Sequence, residues 1–546
     1  MRPSFLEMVR RVSGRDDASL ALANERRRLS ASAMPPSVGT PFREEMVRLA
    51  GTEDRIVLGR AARDPSLEVS LPVATLGGLE HGLILGGTGM GKSTLVAWLG
   101  WSLLRRIAAG ESRGFAVTDE KGELVRDYLS PIFLQLLREL PEREAQRFAD
   151  QLVILDPFSK TSLVPLNILE PISGVPAAVQ AFDVAALIER SAGAAFGVLQ
   201  DRWVQMALLL AIEEGWSLTD LLYVLNDTTT LAARAASSPS REVREFFAAD
   251  RITRAAAEGV RARVGVVTRL PAARLMVGSR RRSPSISDIL KNKILFVTMG
   301  TPPLGAEAVQ RFFSALFVQR ITQAIFDRTK EDRARPLTLV MDEFTEGLMG
   351  SPDASAQTTR LLQLARSRSV SIVLATQSMA TVSQLSQTLP KVIATNVGVS
   401  VAFRCNREDA ESQKHLFEVS GRRRRTAPEP WEPAPKSPFL SPNEELQELV
   451  KELTALPRRH FYYWNRSISP HAELVVANTI EIPKVRFAPR WMRERVQDGV
   501  LGIPIATLDA EARARENEQA VAPTPTPPTT AAGQLRARRP RARRAP

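Results

Sequence analysis

Apolar and β-branched residues come in short unbroken runs at Leu83–Leu85, Gly114–Thr118, Leu152–Leu155, Lys293–Thr298, Leu337–Met341, Ser371–Ala375 and Val399–Phe403. Runs of this length without polar alternation predict strands buried on both faces. Helical stretches separate most of them, which is the pattern of an α/β fold, a mostly parallel sheet covered by helices. Arg55–Gly59 and Leu67–Leu71 precede the series, and His460–Trp464 and Glu473–Val476 follow it, as further strands. The long helix expected over Ala306–Asp327 repeats Phe312, Phe313, Leu316, Phe317, Ile321 and Ile325 at helical spacing, a stripe that packs on the sheet.

The alternation stops over residues 176–288. There Phe182–Glu189 and Asp201–Glu213 read as helices, and Ser217-Leu-Thr-Asp220 forms a capping box that opens a third before Leu221–Leu225. An all-helical domain inserted into the α/β domain is expected. The plan is then a helical N-terminal segment at 1–50, the first α/β part at 51–175, the insertion at 176–288 and the second α/β part at 289–505. Residues 506–546 form a Pro/Arg-rich tail expected to be disordered. Gly421–Pro438, with Arg422–Arg425 and a proline cluster, reads as a loop.

Composition narrows the class. A chain of 546 residues exceeds what one core supports, and 44% hydrophobic with 24% charged residues is ordinary for a soluble protein. The single cysteine, Cys405, excludes a disulfide framework and a Cys-based zinc site, and His81, His415, His460 and His471 have no metal-ligand spacing. The longest apolar run, Met206–Ile212, is too short to span a membrane. Glu7 and Arg10–Arg11 stand where a signal peptide would be apolar, so a cytoplasmic protein is expected. Of the net charge of +13, six come from arginines in residues 521–546. That tail is either a nonspecific nucleic-acid arm or a solubilising segment. Neither it nor Arg422–Arg425 has interleaved aromatics, so base recognition is not indicated.

The chemistry begins at Gly86-Gly87-Thr88-Gly89-Met90-Gly91-Lys92-Ser93, a complete phosphate-binding loop between a predicted strand and a helix that continues through Thr94. Its glycines let consecutive backbone N–H groups face phosphate oxygens at a helix N-terminus. Lys92 is expected to reach the β- and γ-phosphates of ATP, and the Ser93 hydroxyl to coordinate Mg2+. Leu337–Met341 runs into Asp342-Glu343, where Asp342 would join the magnesium shell and Glu343 polarise the attacking water. Gln377, after the next strand, either senses the γ-phosphate or positions water, or is simply a residue common at helix starts. Upstream, Arg366 or Arg368 is either a trans-acting arginine finger or part of a solvated helix end. Lys121 either contacts phosphate or is a surface lysine in a turn, and Asp119 ends a strand at the same sheet edge.

An ordered set of segments resembles the type IV coupling proteins, conjugative DNA-transfer ATPases of the FtsK–HerA superfamily. Asp119-Glu-Lys121-Gly122-Glu123-Leu124 is similar to the family's D-x-K-G-E-L, and Asp156-Pro157 followed by Pro165-Leu-Asn167 to its next pattern, with Ile168 where proline is usual. Asp342-Glu343-Phe344, Leu364-Ala-Arg366-Ser367 through Gln377-Ser378, and Asn396 followed by Val401–Arg404 continue the resemblance over residues 55–480. It implies a RecA-like P-loop ATPase, a homo-hexameric ring with ATP at subunit interfaces, and DNA in a central channel. The inserted domain would face relaxase, accessory DNA-transfer proteins or DNA. The family's usual N-terminal membrane helices have no counterpart in this sequence, and the glycine usual near Ser369 is missing. A separate membrane-channel protein is therefore the expected link to the inner membrane. A protein-substrate or genome-processing ATPase of the same superfamily stands as an alternative. So does a nucleotide-gated binding module, against which intact Lys92, Ser93, Asp342 and Glu343 speak.

Overall fold

The computed structural model describes residues 41–521, apart from 63, 78–79, 173, 193–196, 249–252, 349–351, 414–438, 469–472, 478–481, 483–484 and 486. Arg422–Arg425 and the six arginines of residues 521–546 lie outside the described residues.

Each predicted strand is present. In chain order they are β1 (Arg55–Ala61), β2 (Glu68–Pro72), β3 (His81–Leu85), β4 (Gly114–Asp119), β5 (Leu152–Leu155), β6 (Ser162–Leu163), β7 (Ile294–Thr298), β8 (Leu337–Asp342), β9 (Val370–Thr376), β10 (Val397–Phe403), β11 (His460–Asn465), β12 (Glu473–Ala477) and β13 (Ile503–Pro504). Eleven form one sheet in the order β2-β1-β12-β11-β10-β3-β9-β8-β4-β7-β5. From β10 to β5 every pairing is parallel, and from β10 to β2 every pairing is antiparallel. The sequence explains the split. The parallel strands are buried along nearly their whole length, as at β8 and β9, whereas β1 carries the exposed Arg60 near its end. The short β6 and β13 pair separately through Ile503 and Leu163.

The chain divides into two compact units: residues 1–164 with 284–504, and 165–283 with 505–546. In the first unit the helix Glu307–Phe326 buries its Phe312, Phe313, Leu316, Phe317, Ile321 and Ile325 stripe. Each such side chain contributes about 1.5–3 kcal/mol of burial. The helix is capped by Ala306 rather than beginning there. A second core between β10–β11 and the helix Pro442–Ala455 holds Cys405, Leu449, Leu453, Tyr462 and Trp464. His81 is structural: its Nε2 meets the Leu362 carbonyl at 2.8 Å, and its Nδ1 accepts the Ile372 N–H at 3.1 Å. Burial pushes that imidazole down to about 4.

Among the described residues the second unit is helical. Ala177–Ala192 extends the first expected helix at both ends, Val198–Glu213 extends the second at its start, and the apolar run Met206–Ile212 is buried within the latter. The Ser217–Asp220 capping box forms, with Ser217 N–H donating to Asp220 Oδ2 at 2.9 Å and Asp220 N–H to Ser217 Oγ at 3.3 Å. Asp220 is also held by Arg280 through two contacts of 2.8 and 2.9 Å. The boundary expected at 505/506 falls at the head of a helix, Ile505–Val521, not a disordered tail. The reason is compositional, since residues 506–520 are rich in Ala, Glu and Arg and the prolines begin only at Pro523. This helix belongs to the second unit, where Glu511 takes the Arg281 guanidinium at 2.5 and 3.0 Å and Arg515 Nη1 donates to the Gly278 carbonyl at 2.8 Å. No described helix is long and apolar enough to cross a membrane.

Candidate nucleotide site

The loop Gly86–Gly91 leaves β3 and enters the helix Lys92–Ala108. Gly86 has φ +151°, and a Cβ there would lie 2.5 Å from Phe403 Cβ, so the loop's first residue must be glycine to seat against β10. Two backbone bonds fix its path: Gly87 N–H donates to the Arg404 carbonyl at 2.8 Å, and Arg459 N–H donates to the Met90 carbonyl at 3.0 Å. These anchors use only main-chain atoms, and nothing in the sequence marks them.

Lys92, at the helix N-terminus, is buried and its Nζ donates to the Gly86 carbonyl at 2.8 Å. The same Nζ lies 3.6 Å from Glu343 Oε1. Burial holds this ammonium below its ordinary range, against the opposing pull of Glu343 and Asp342. Ser93 and Thr94, half-buried, follow in the helix's first turn.

The sheet order places β8 between β9 and β4, which brings Asp342, Glu343, Gln377, Asp119 and Lys121 to one edge. Glu343 is a non-glycine residue at φ +49°. Such a conformation costs about 1–3 kcal/mol and persists only where its surroundings enforce it. Its Oε1 accepts Gln377 Nε2–H at 2.7 Å and lies 3.5 Å from Lys121 Nζ. Gln377 Oε1 in turn accepts the Thr88 hydroxyl at 2.9 Å, so Gln377 links Glu343 to the loop. Ser378, beside it, caps the helix Met379–Leu385 and bonds Asp409 at 2.6 Å.

Asp342 is 6% exposed, and its Oδ1 has no hydrogen-bond partner among the described residues. Burial first, then the carboxylates of Asp119 and Glu343, push its carboxyl up to about 7, while Lys92 and Lys121 act the other way. A buried carboxylate oxygen left without a donor suits a hard divalent cation, so Asp342 fits Mg2+. Asp119 has a different occupation. Its carboxylate accepts the N–H groups of Lys121, Gly122 and Val125 at 3.2, 2.8 and 2.8 Å.

Arg366 is not brought to this edge. It sits in the turn Arg366–Arg368 just before β9, with its guanidinium 3.9 Å from Glu80 Oε2 ahead of β3. The strands are parallel, so a residue preceding β9 is separated from the loop after β3 by about a strand's length, ~17 Å. Arg368 donates to the Arg328 carbonyl at 3.1 Å in the same region. Ser369 takes φ +56°, keeping the left-handed turn that a glycine would adopt freely.

Residues 68–462 match the family model of the type IV secretion-system coupling protein DNA-binding domain. The chain belongs to this family. Solved structures agree on the fold. The bacterial conjugative coupling protein TrwB, lacking its first 70 residues and unbound, is 15% identical, with 82% of this chain and 92% of that one covered and a TM-score of 0.50. VirB4 of Thermoanaerobacter pseudethanolicus is 14% identical, with 79% and 98% covered and a TM-score of 0.51. No curated protein sequence matches the chain. In this chain a central, mostly parallel sheet carries the phosphate loop, and the described residues of the second unit are helical.

Proposed function

We propose that this coupling-protein family member is an ATP-driven motor that recruits DNA, alone or bound to a relaxase, and moves it during conjugative or mobile-element transfer. The observation that supports this most is the convergence on Glu343 Oε1: Gln377, Lys92 and Lys121 lie 2.7, 3.6 and 3.5 Å away, beside a complete phosphate loop. That arrangement suits hydrolysis as well as binding. The N–H groups of Gly86–Gly91 would cradle phosphates at the helix N-terminus, and Lys92 would exchange its Gly86 contact for the β- and γ-phosphates.

Ser93 and Asp342 are the residues that would hold Mg2+. When bound, the ion would offset the negative charge of the phosphates. Glu343 would orient and polarise the attacking water. Gln377, now bonded to Thr88 and Glu343, is placed to register a γ-phosphate by changing partners. In this reading Arg366 serves a neighbour's site in a homo-hexamer, because its own chain's site is at the other sheet edge. DNA, a relaxase or accessory protein, and a separate membrane-channel protein complete the assembly, and the latter would hold it at the inner membrane.

The test is ATP hydrolysis with and without single- and double-stranded DNA, with Lys92→Ala as reference. Hydrolysis stimulated by DNA and abolished by the substitution is expected. Lys92-dependent hydrolysis indifferent to both DNA forms would refute the DNA motor and leave a protein-handling ATPase.

A further inference from the structure

Glu343 is approached by two lysines from two different elements, and only one of them belongs to the phosphate loop. Lys92 comes from the helix after β3 and Lys121 from the turn after β4, and their Nζ atoms lie at nearly the same distance from one carboxylate oxygen. The Glu343 side chain is 9% exposed and Lys121 40% exposed, so Lys121 reaches inward from the rim to a buried anion.

The turn that carries Lys121 is built to stay in place. Asp119 caps three of its backbone N–H groups, one of them that of Lys121 itself. Gly122 follows at φ +72°, and a Cβ there would lie 2.1 Å from the Gly300 carbonyl oxygen at the end of β7. The turn is pinned from within by a buried carboxylate and from outside by the neighbouring strand. A merely solvated surface lysine requires neither restraint.

We propose that Lys121 is a positioning residue for hydrolysis, holding the Glu343 carboxylate when Lys92 turns to the phosphates. This rests on the ATPase reading above and deepens it. Nucleotide phosphates draw Lys92 away from Glu343. Without a second cation, the buried Glu343 carboxylate would then keep, among the described residues, only the Gln377 amide, with Asp342 beside it in sequence. Lys121 supplies that cation from the subunit's own chain, and so keeps Glu343 oriented at the step where water is activated.

The experiment compares K121A, K121M and K121R with the wild type and K92A, measuring ATP turnover at saturating ATP and the affinity for a fluorescent ATP analogue. K121A and K121M are expected to lose roughly 10- to 100-fold in kcat, the range found when a partner that orients a functional ligand is removed. Nucleotide Kd should change by less than about twofold, and K121R should recover most of the turnover. Thermal unfolding close to that of the wild type establishes that the variants fold, and K121M retains the aliphatic packing should K121A fail. An unchanged kcat overturns the proposal, and so does a loss confined to nucleotide affinity. A wild type without Lys92-dependent hydrolysis overturns the ATPase reading and this role with it. An active wild type matched by K121A and K121M overturns the role of Lys121 alone.

Discussion

Glu120 offers a sharp physical test of the sheet edge. It follows β4, is 4% exposed, and faces no basic partner among the described residues. Its Oε2 accepts the Ser314 hydroxyl at 2.5 Å, and its carbonyl accepts Gln310 Nε2–H at 2.9 Å. Burial, with Asp119 and Glu346 adding to it and Ser314 opposing, pushes the carboxyl from its ordinary 4.5 up to about 7. The folded-state value is the raised one, so the folded state holds this proton more tightly than the unfolded chain. The stabilisation is complete below pH 4.5 and is lost as pH rises to about 7. At about 1.4 kcal/mol per pH unit, the full loss is on the order of 3 to 4 kcal/mol.

Glu120→Gln removes the titration yet keeps an oxygen to accept from Ser314. Its stability relative to wild type should therefore improve by roughly 2 to 3 kcal/mol between about pH 5 and about pH 8.5. Urea denaturation of the nucleotide-free protein across that range measures it. A difference between the two proteins that stays flat with pH, or that shrinks as pH rises, would refute the assignment of Glu120 as a buried carboxyl without a cation.

Two further expectations follow from neighbouring residues. Asp342 titrates at about 7 and must be charged to hold Mg2+, so apparent Mg2+ affinity in the presence of a non-hydrolysable ATP analogue should weaken by up to about tenfold per pH unit below 7. Titration calorimetry across the range checks this, and an affinity independent of pH would count against Asp342 as a ligand. Ser369→Gly should stabilise the protein by about 0.5–1 kcal/mol, because glycine relieves the left-handed backbone at a smaller entropic cost. A lower unfolding temperature for that variant would show that Ser369 is not strained.

Much of the fold was legible because its signals are local. Strands buried on both faces must be apolar throughout, so β8 and β9 stand out as runs. The phosphate loop is legible because its glycines answer to its own backbone path, as at Gly86. What was hidden depends on neighbours distant in sequence. Lys121 looks like any turn lysine until β4 is seen beside β8, with Asp119 opposite Asp342 in register. Arg404 and Arg459 hold the loop through main-chain groups that every residue type has. Arg366 sits close to β9 in sequence, but the direction of that strand sends it to the edge away from Gln377. The helix Ile505–Val521 was masked by the prolines and arginines beyond it.

That last helix has a consequence for how the protein is made. Its Glu511 grips Arg281, a partner synthesised 230 residues earlier, and the intervening chain supplies strands β7 to β13. On the ribosome the helical unit must wait, with the faces of Thr219, Arg274, Leu275 and Gly278 uncovered, until those strands and the helix Ile505–Val521 have been translated as well. The helix Ile505–Val521 thus completes a unit whose other described helices are translated before strands β7 to β13, and a chain halted just short of it would leave the ribosome with that unit unfinished.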